Sequence, residues 1–382
     1  MIQRATHTNP KVPVCLHGPW PPAAKEILDL PGPFPFQSGG SVPELSLAYE
    51  TWGVLNAQAD NAVLVLTGLS PSAHARSSAH DATRGWWEEM IGPGRPLDTD
   101  RLFVICVNSL GSCFGSTGPT SVDPTTGTPY GLRFPQLTIE DIAAATHQVV
   151  KRLGVERLYA AIGPSMGGMT ALAYALLCPQ GVGRLALISS TDRPEAQAIA
   201  VHSLQREAIR NDPAWCGGEY AADAPPVAGM KLARKIGMTS YRSAAEWEAR
   251  FHNTRTDLQS STPFGTEFEV ESYLEAVAQK FVRGFDANAY LYLSRAMDLF
   301  DADTGPGGLQ TRLTGLALDR VTVVGVETDT LFPLRQQAAL AAQFDAAGQD
   351  TRFIQVPSPQ GHDAFLVDIE RFGPILRTVL EP

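Results

Sequence analysis

Basic residues are the minority charge in this 382-residue chain, with 30 Lys and Arg against 40 Asp and Glu and a formal net charge of -10. That balance argues against nonspecific nucleic-acid binding, which depends on neutralising phosphates, and leaves open a local patch for a polyanionic ligand. Cysteine is scarce: Cys15, Cys106, Cys113, Cys178 and Cys216 are scattered, odd in number and without metal-ligand spacing. A disulfide framework is not expected, and a reducing cytoplasm is. No run approaches the roughly eighteen apolar residues of a membrane span, and the first residues lack a basic stretch followed by an apolar one. A cytoplasmic protein without a membrane partner is therefore expected. No cluster of His, Cys or carboxylates suggests a metal, and no internal repeat or low-complexity tract is visible.

What is present is a chain with 44% apolar residues, enough for a sizeable core. Prolines at 10, 13, 21, 22, 31, 33 and 35 interrupt helices and central strands, so residues 1–40 are expected to form an irregular surface arm. Residues 44–52 alternate loosely, like an antiparallel edge strand, whereas 62–66 and 102–107 are continuous apolar runs typical of buried parallel strands. Helical spacing at 139–150, strands at 184–189, 320–326 and 351–356, and helices at 334–344 and 368–380 continue the alternation. Between them, residues 193–309 read as helices and loops without a convincing core strand. The expectation is an α/β fold of mostly parallel sheet with helices on both faces, its core split into 41–192 and 310–382 around a helical lid at 193–309.

The chemistry centres on Gly163-Pro164-Ser165-Met166-Gly167, entered from an apolar strand and left through a helical run from Met169 to Leu177. Gly-x-Ser-x-Gly between a strand and a helix is a nucleophile elbow, in which the serine hydroxyl stands clear at a helix N-terminus. A serine at neutral pH needs a base oriented by a carboxylate, and in such a sheet the chain order is Ser, acid, His, each after a strand. His362 is the only histidine beyond residue 252 and follows the last predicted strand; Asp329 follows the strand before it, with Glu327 still at that strand's end. Acyl transfer also needs donors for the oxyanion: the Met166 amide after the nucleophile, and the Leu69 amide in the loop after residue 66. The other histidines, His74 among them, read as surface or packing residues.

Several blocks together are more specific. Leu47-Ala48-Tyr49-Glu50-Thr51-Trp52-Gly53, Val107-Asn108-Ser109-Leu110-Gly111-Ser112-Cys113, and residues 115–119 and 163–169 resemble the α/β-hydrolase-fold homoserine O-acetyltransferase family. Residues 268–274, 285–291 and 360–366 resemble the same family's lid and terminal blocks, so the likeness covers about 30–380. It implies a ping-pong reaction in which Ser165 takes an acyl group from acyl-coenzyme A, as co-substrate, and passes it to an amino-acid hydroxyl. It also implies that Arg234 and Asp363 hold the amino acid's carboxylate and ammonium, and that the protein is a homodimer through lid helices.

Within that family the loop Gly68-Leu69-Ser70-Pro71 departs from the His-Ala-Leu-(Thr/Ser)-Gly type and is similar to the serine-specific branch. L-Serine is therefore the expected acceptor, for cysteine biosynthesis, ahead of L-homoserine for methionine biosynthesis; an esterase transferring to water is the remote alternative. Succinyl-using members resemble one another in an arginine at one of two places, here occupied by His202 and Leu331. Acetyl-CoA is accordingly expected ahead of succinyl-CoA.

Overall fold

The computed structural model describes residues 26–256, 265–305 and 307–381. Ten strands run in chain order: β1 Glu26–Pro35, β2 Ser41–Trp52, β3 Ala62–Leu66, β4 Phe103–Val107, a small hairpin of β5 Val122–Asp123 with β6 Thr128–Pro129, then β7 Leu158–Pro164, β8 Val182–Ile188, β9 Arg320–Val326 and β10 Thr351–Val356. All but the hairpin form one eight-stranded sheet in the order β1-β2-β4-β3-β7-β8-β9-β10. From β4 to β10 every pairing is parallel, while β1 on β2 and β2 on β4 are antiparallel.

Strands β3 and β4 are apolar throughout because both faces are covered. Successive side chains of one strand point to opposite faces. Leu64 and Leu66 therefore join one core with Ile142, Leu172 and Phe344, while Val63 and Val65 join another with Trp87, Phe372 and Leu376. Helices α1 Ile139–Arg152, α2 Met166–Leu177 and α9 Leu334–Ala346 supply the first layer, and α11 Ile369–Leu380 the second. Thr138 starts α1 with a reciprocal cap: its hydroxyl accepts from the Asp141 amide at 3.1 Å and the Asp141 carboxylate accepts from the Thr138 amide at 2.9 Å.

Between β8 and β9 lie six helices of the described residues: α3 Ala196–Arg210, α4 Val227–Tyr241, α5 Ala244–Phe251, α6 Glu269–Val282, α7 Ala287–Leu299 and α8 Gly308–Thr314. After β10 comes α10 Ala364–Val367, ahead of α11. No helix among the described residues is long and apolar enough to cross a membrane.

Two expectations need correction. The irregular arm expected over 1–40 does not extend to its end: residues 26–35 form β1, while 1–25, with Cys15, lie outside the described residues. Pro31, Pro33 and Pro35 are tolerated because β1 is the outermost strand, where one row of amides has no ladder to make, and its register shifts between Pro31 and Phe34. For the same reason β2 is not an edge strand; β1 covers it.

Candidate active site

The turn from β7 to α2 leaves no room for a side chain at either of its glycines. A Cβ on Gly163 would overlap the Gly167 carbonyl, and one on Gly167 would overlap the Leu66 carbonyl of β3. Glycine is required at both by close backbone approach. Ser165 between them has φ 55° and ψ -125°, a conformation that L-residues rarely adopt and that costs on the order of 1–3 kcal/mol. The surrounding bonds hold it there: its amide donates to the Ile188 carbonyl at 2.9 Å, and its carbonyl accepts from the Ser190 hydroxyl at 2.8 Å and the Gly168 amide at 2.9 Å.

His362 lies on the 3-10 turn Gly361–Asp363 after β10, its Nε2 2.8 Å from Ser165 Oγ and its Nδ1 2.9 Å from Asp329 Oδ2. Asp329, in the loop after β9, is 4% exposed, and its other oxygen, Oδ1, accepts from the Leu331 and Phe332 amides at 2.9 Å each. The three side chains named from the sequence are thus one hydrogen-bonded relay. Glu327 is excluded from it: it is exposed and accepts from Gln355 Nε2 at 2.8 Å.

Burial pulls the His362 imidazole down, but the charge of Asp329, its hydrogen bond and the charge of Asp363 outweigh burial and raise the pKa above the ordinary histidine value. His362 must be neutral to accept a proton from Ser165. The acid limb of the kcat/KM profile is therefore expected to have its midpoint above about pH 6.5, with activity rising as the ring deprotonates. Initial rates between about pH 5 and 9 check this; a midpoint clearly below that value would contradict it.

The Met166 amide opens α2, and the Leu69 amide lies in the loop after β3; neither has a hydrogen-bonding partner among the described residues. Gly68 is buried, and Leu69, Ser70 and Pro71 are half-buried.

The remaining candidates are placed less uniformly. Arg234 on α4 stacks over the Phe281 ring at 4.7 Å and the Tyr241 ring at 5.6 Å, and Tyr241 lies 6.1 Å from the His362 ring. Asp363 adjoins His362 in the chain but is 3.5 Å from Arg242 Nε, and no contact joins it to Arg234 among the described residues. Leu331 is buried and serves Asp329 through its amide. His202 is not in contact with the relay: it is 2% exposed and 2.7 Å from Asp298, whose second oxygen is 2.6 Å from Arg206. Tyr241, Phe332 and Phe365 wall the His362 ring. None of these carries a spacing signal, because a ring contact across elements leaves no local pattern.

A strand-to-helix elbow with a Ser-His-Asp relay at the C-terminal ends of a mostly parallel sheet defines an α/β hydrolase-fold enzyme. The alpha/beta hydrolase fold family matches residues 61–369. A protein of Stenotrophomonas maltophilia (strain K279a) called serine O-succinyltransferase is 53% identical over 356 residues, covering 92% of this chain and 96% of its own length. The solved homoserine O-acetyltransferase of Bacillus anthracis superposes with a TM-score of 0.86 at 28% identity, over 94% of this chain and 97% of that one. A solved esterase superposes with a TM-score of 0.84 at 26% identity, over 93% and 99%. The chain belongs to the homoserine O-acetyltransferase family of acyltransferases, on its serine O-acyltransferase branch.

Proposed function

We propose that this chain is an L-serine O-acyltransferase working through an acyl-Ser165 intermediate. The observation that carries the reading is the Ser165-His362-Asp329 relay at the elbow, in a chain 53% identical to a serine O-succinyltransferase.

In the first half-reaction Ser165 Oγ attacks the thioester carbonyl and its proton passes to His362 Nε2. The oxyanion is held by the Leu69 and Met166 amides. As the intermediate collapses, the C–S bond breaks and the leaving sulfur takes the proton from His362. In the second, the serine hydroxyl gives its proton to His362 and attacks the acyl carbonyl; Ser165 leaves and regains that proton. Arg234 and Asp363 hold the carboxylate and ammonium of the acceptor, an arrangement that suits a zwitterion. The helices between β8 and β9 act as a lid that keeps water from the acyl-enzyme. Lid helices also form the proposed homodimer contact, and the product feeds cysteine synthesis in the cytoplasm.

For the donor, the lack of arginine at 202 and 331 favours acetyl-CoA, and His202 cannot stand in for it while its ring faces Asp298 at 2.7 Å. The relative's name favours succinyl-CoA. At that degree of identity the relative weighs more, and succinyl-CoA is the donor proposed.

The test is thiol release across a grid of succinyl-CoA or acetyl-CoA with L-serine or L-homoserine. Succinyl-CoA with serine should give the highest kcat/KM. A higher value with acetyl-CoA would return the donor to the one expected from the missing arginines. One methylene in the acceptor is worth only about 1–3 kcal/mol, so serine should lead homoserine by roughly 10- to 200-fold. Preference for homoserine would overturn the acceptor, and equal thiol release without any amino acid would favour the esterase reading that the fold also accommodates.

A further inference from the structure

The loop that carries Leu69 is fastened at both ends by buried polar contacts. At its start, the Thr67 and Ser109 hydroxyls meet at 3.0 Å. At its end stands His74, 5% exposed, although nothing in the mechanism uses it. Ala73 packs on Ala48 of β2 with both fully buried, which brings His74 against Glu50 two residues further along that strand. The ring Nε2 lies 2.8 Å from the Thr83 carbonyl and Nδ1 lies 2.9 Å from the Glu50 carboxylate. A carbonyl only accepts, and so does an ionised carboxylate. Facing two such acceptors, both ring nitrogens donate in the imidazolium form, and these contacts suit that form.

Titratable groups face the ring from three elements. Glu50 on β2 is 6% exposed, Asp81 in the following loop approaches Nδ1 to 3.9 Å, and Cys106 on β4 sits opposite Glu50 in the sheet register. Burial and then the Glu50 charge push the Cys106 thiol well up, so it stays neutral and leaves Glu50 to His74. The hydrogen bond to Glu50 above all raises His74, against the opposing effect of burial, to about 9. Further bonds tie the chain around it: the His74 amide donates to Ser72 Oγ at 3.1 Å, and Trp86 Nε1 donates to the Ser72 carbonyl at 3.1 Å.

We propose that His74 is a positioning residue for acyl transfer: clamped between Glu50 and the Thr83 carbonyl, it fixes the loop after β3 and so aims the Leu69 amide at the oxyanion. The inference rests on the reading of Leu69 as an oxyanion donor. A merely packed histidine would need neither both protons nor a carboxylate partner. Because the pKa is raised, the clamp is complete below about pH 6.5 and is lost as pH rises through about 9.

The full chain serves as the test. Imidazole 15N spectra at about pH 7.5 should place both His74 nitrogens at imidazolium positions, and Glu50→Gln should move the titration toward neutral pH. In His74→Gln, kcat should fall at least about tenfold while KM for either substrate changes less than about threefold. Inactivation by paraoxon, which needs Ser165 and the oxyanion donors but no acyl acceptor, should slow in parallel. A neutral His74 ring in the wild-type spectrum overturns the proposal whether or not the variant folds, and so does His74→Gln that keeps both kcat and its paraoxon rate. Slowed paraoxon chemistry in a protein that prefers another acceptor would support the clamp while removing the serine reading.

Discussion

Ser165→Ala is expected to lower kcat by about 10⁴- to 10⁶-fold with any donor and acceptor, and to leave the fold intact. The size follows from the mechanism, since without Oγ there is no atom to carry the acyl group and what remains is direct transfer assisted by binding and the oxyanion donors. Stability should hardly move. The strained φ of 55° is as costly for alanine as for serine, and the bonds that impose it come from the Ser165 backbone, its amide to Ile188 and its carbonyl from Ser190. Mass spectrometry after mixing wild-type protein with donor alone should find one acyl group added, and the variant should show none. Residual activity above about 1% in Ser165→Ala would remove the acyl-enzyme from the proposed reaction.

How much of this could be read beforehand depended on whether a constraint was local. The elbow was legible because its glycines answer to contacts a few residues away or to the adjacent strand, and those contacts force a short pattern. The buried strands β3 and β4 were legible because cover on both faces makes every residue apolar. β1 was not, since proline argues against a strand only where a ladder needs its amide, and position at the sheet edge is a property of the whole topology. The chain order Ser, Asp, His led to the relay, and the choice of Asp329 over Glu327 rested on one residue of strand length. His74 is buried, as a packing residue would be, but its pairing with Glu50 was not legible, because the partner lies on another strand and a histidine's burial leaves no mark on its neighbours. The wall around His362 escaped for the same reason: Tyr241 follows the helical logic of α4, and only the folded chain turns it toward the ring.

Asp329→Asn is expected to lower kcat by roughly 10⁴-fold near neutral pH, although it changes one atom of a buried side chain. The bonds around the carboxylate dictate the outcome. Oδ1 accepts from the Leu331 and Phe332 amides at 2.9 Å each, so in the variant that position must remain the carbonyl oxygen. The new NH₂ is forced onto the other position, 2.9 Å from His362 Nδ1 in the native protein. An NH₂ only donates, so Nδ1 must become the acceptor and the neutral ring must carry its proton on Nε2. Nε2, 2.8 Å from Ser165 Oγ, then points an N–H at the hydroxyl it should deprotonate. The variant would therefore keep the geometry and hold the wrong tautomer. Loss of the Asp329 charge also removes one of the causes that raise His362, so the ring's titration should shift toward lower pH than in the wild type. Rates across pH together with 15N spectra of the ring separate the two effects: the tautomer predicts an Nε2–H signal in the variant where the wild type shows Nδ1–H. Near-native kcat in a variant that shows the Nε2–H form would mean that His362 is not the base that activates Ser165.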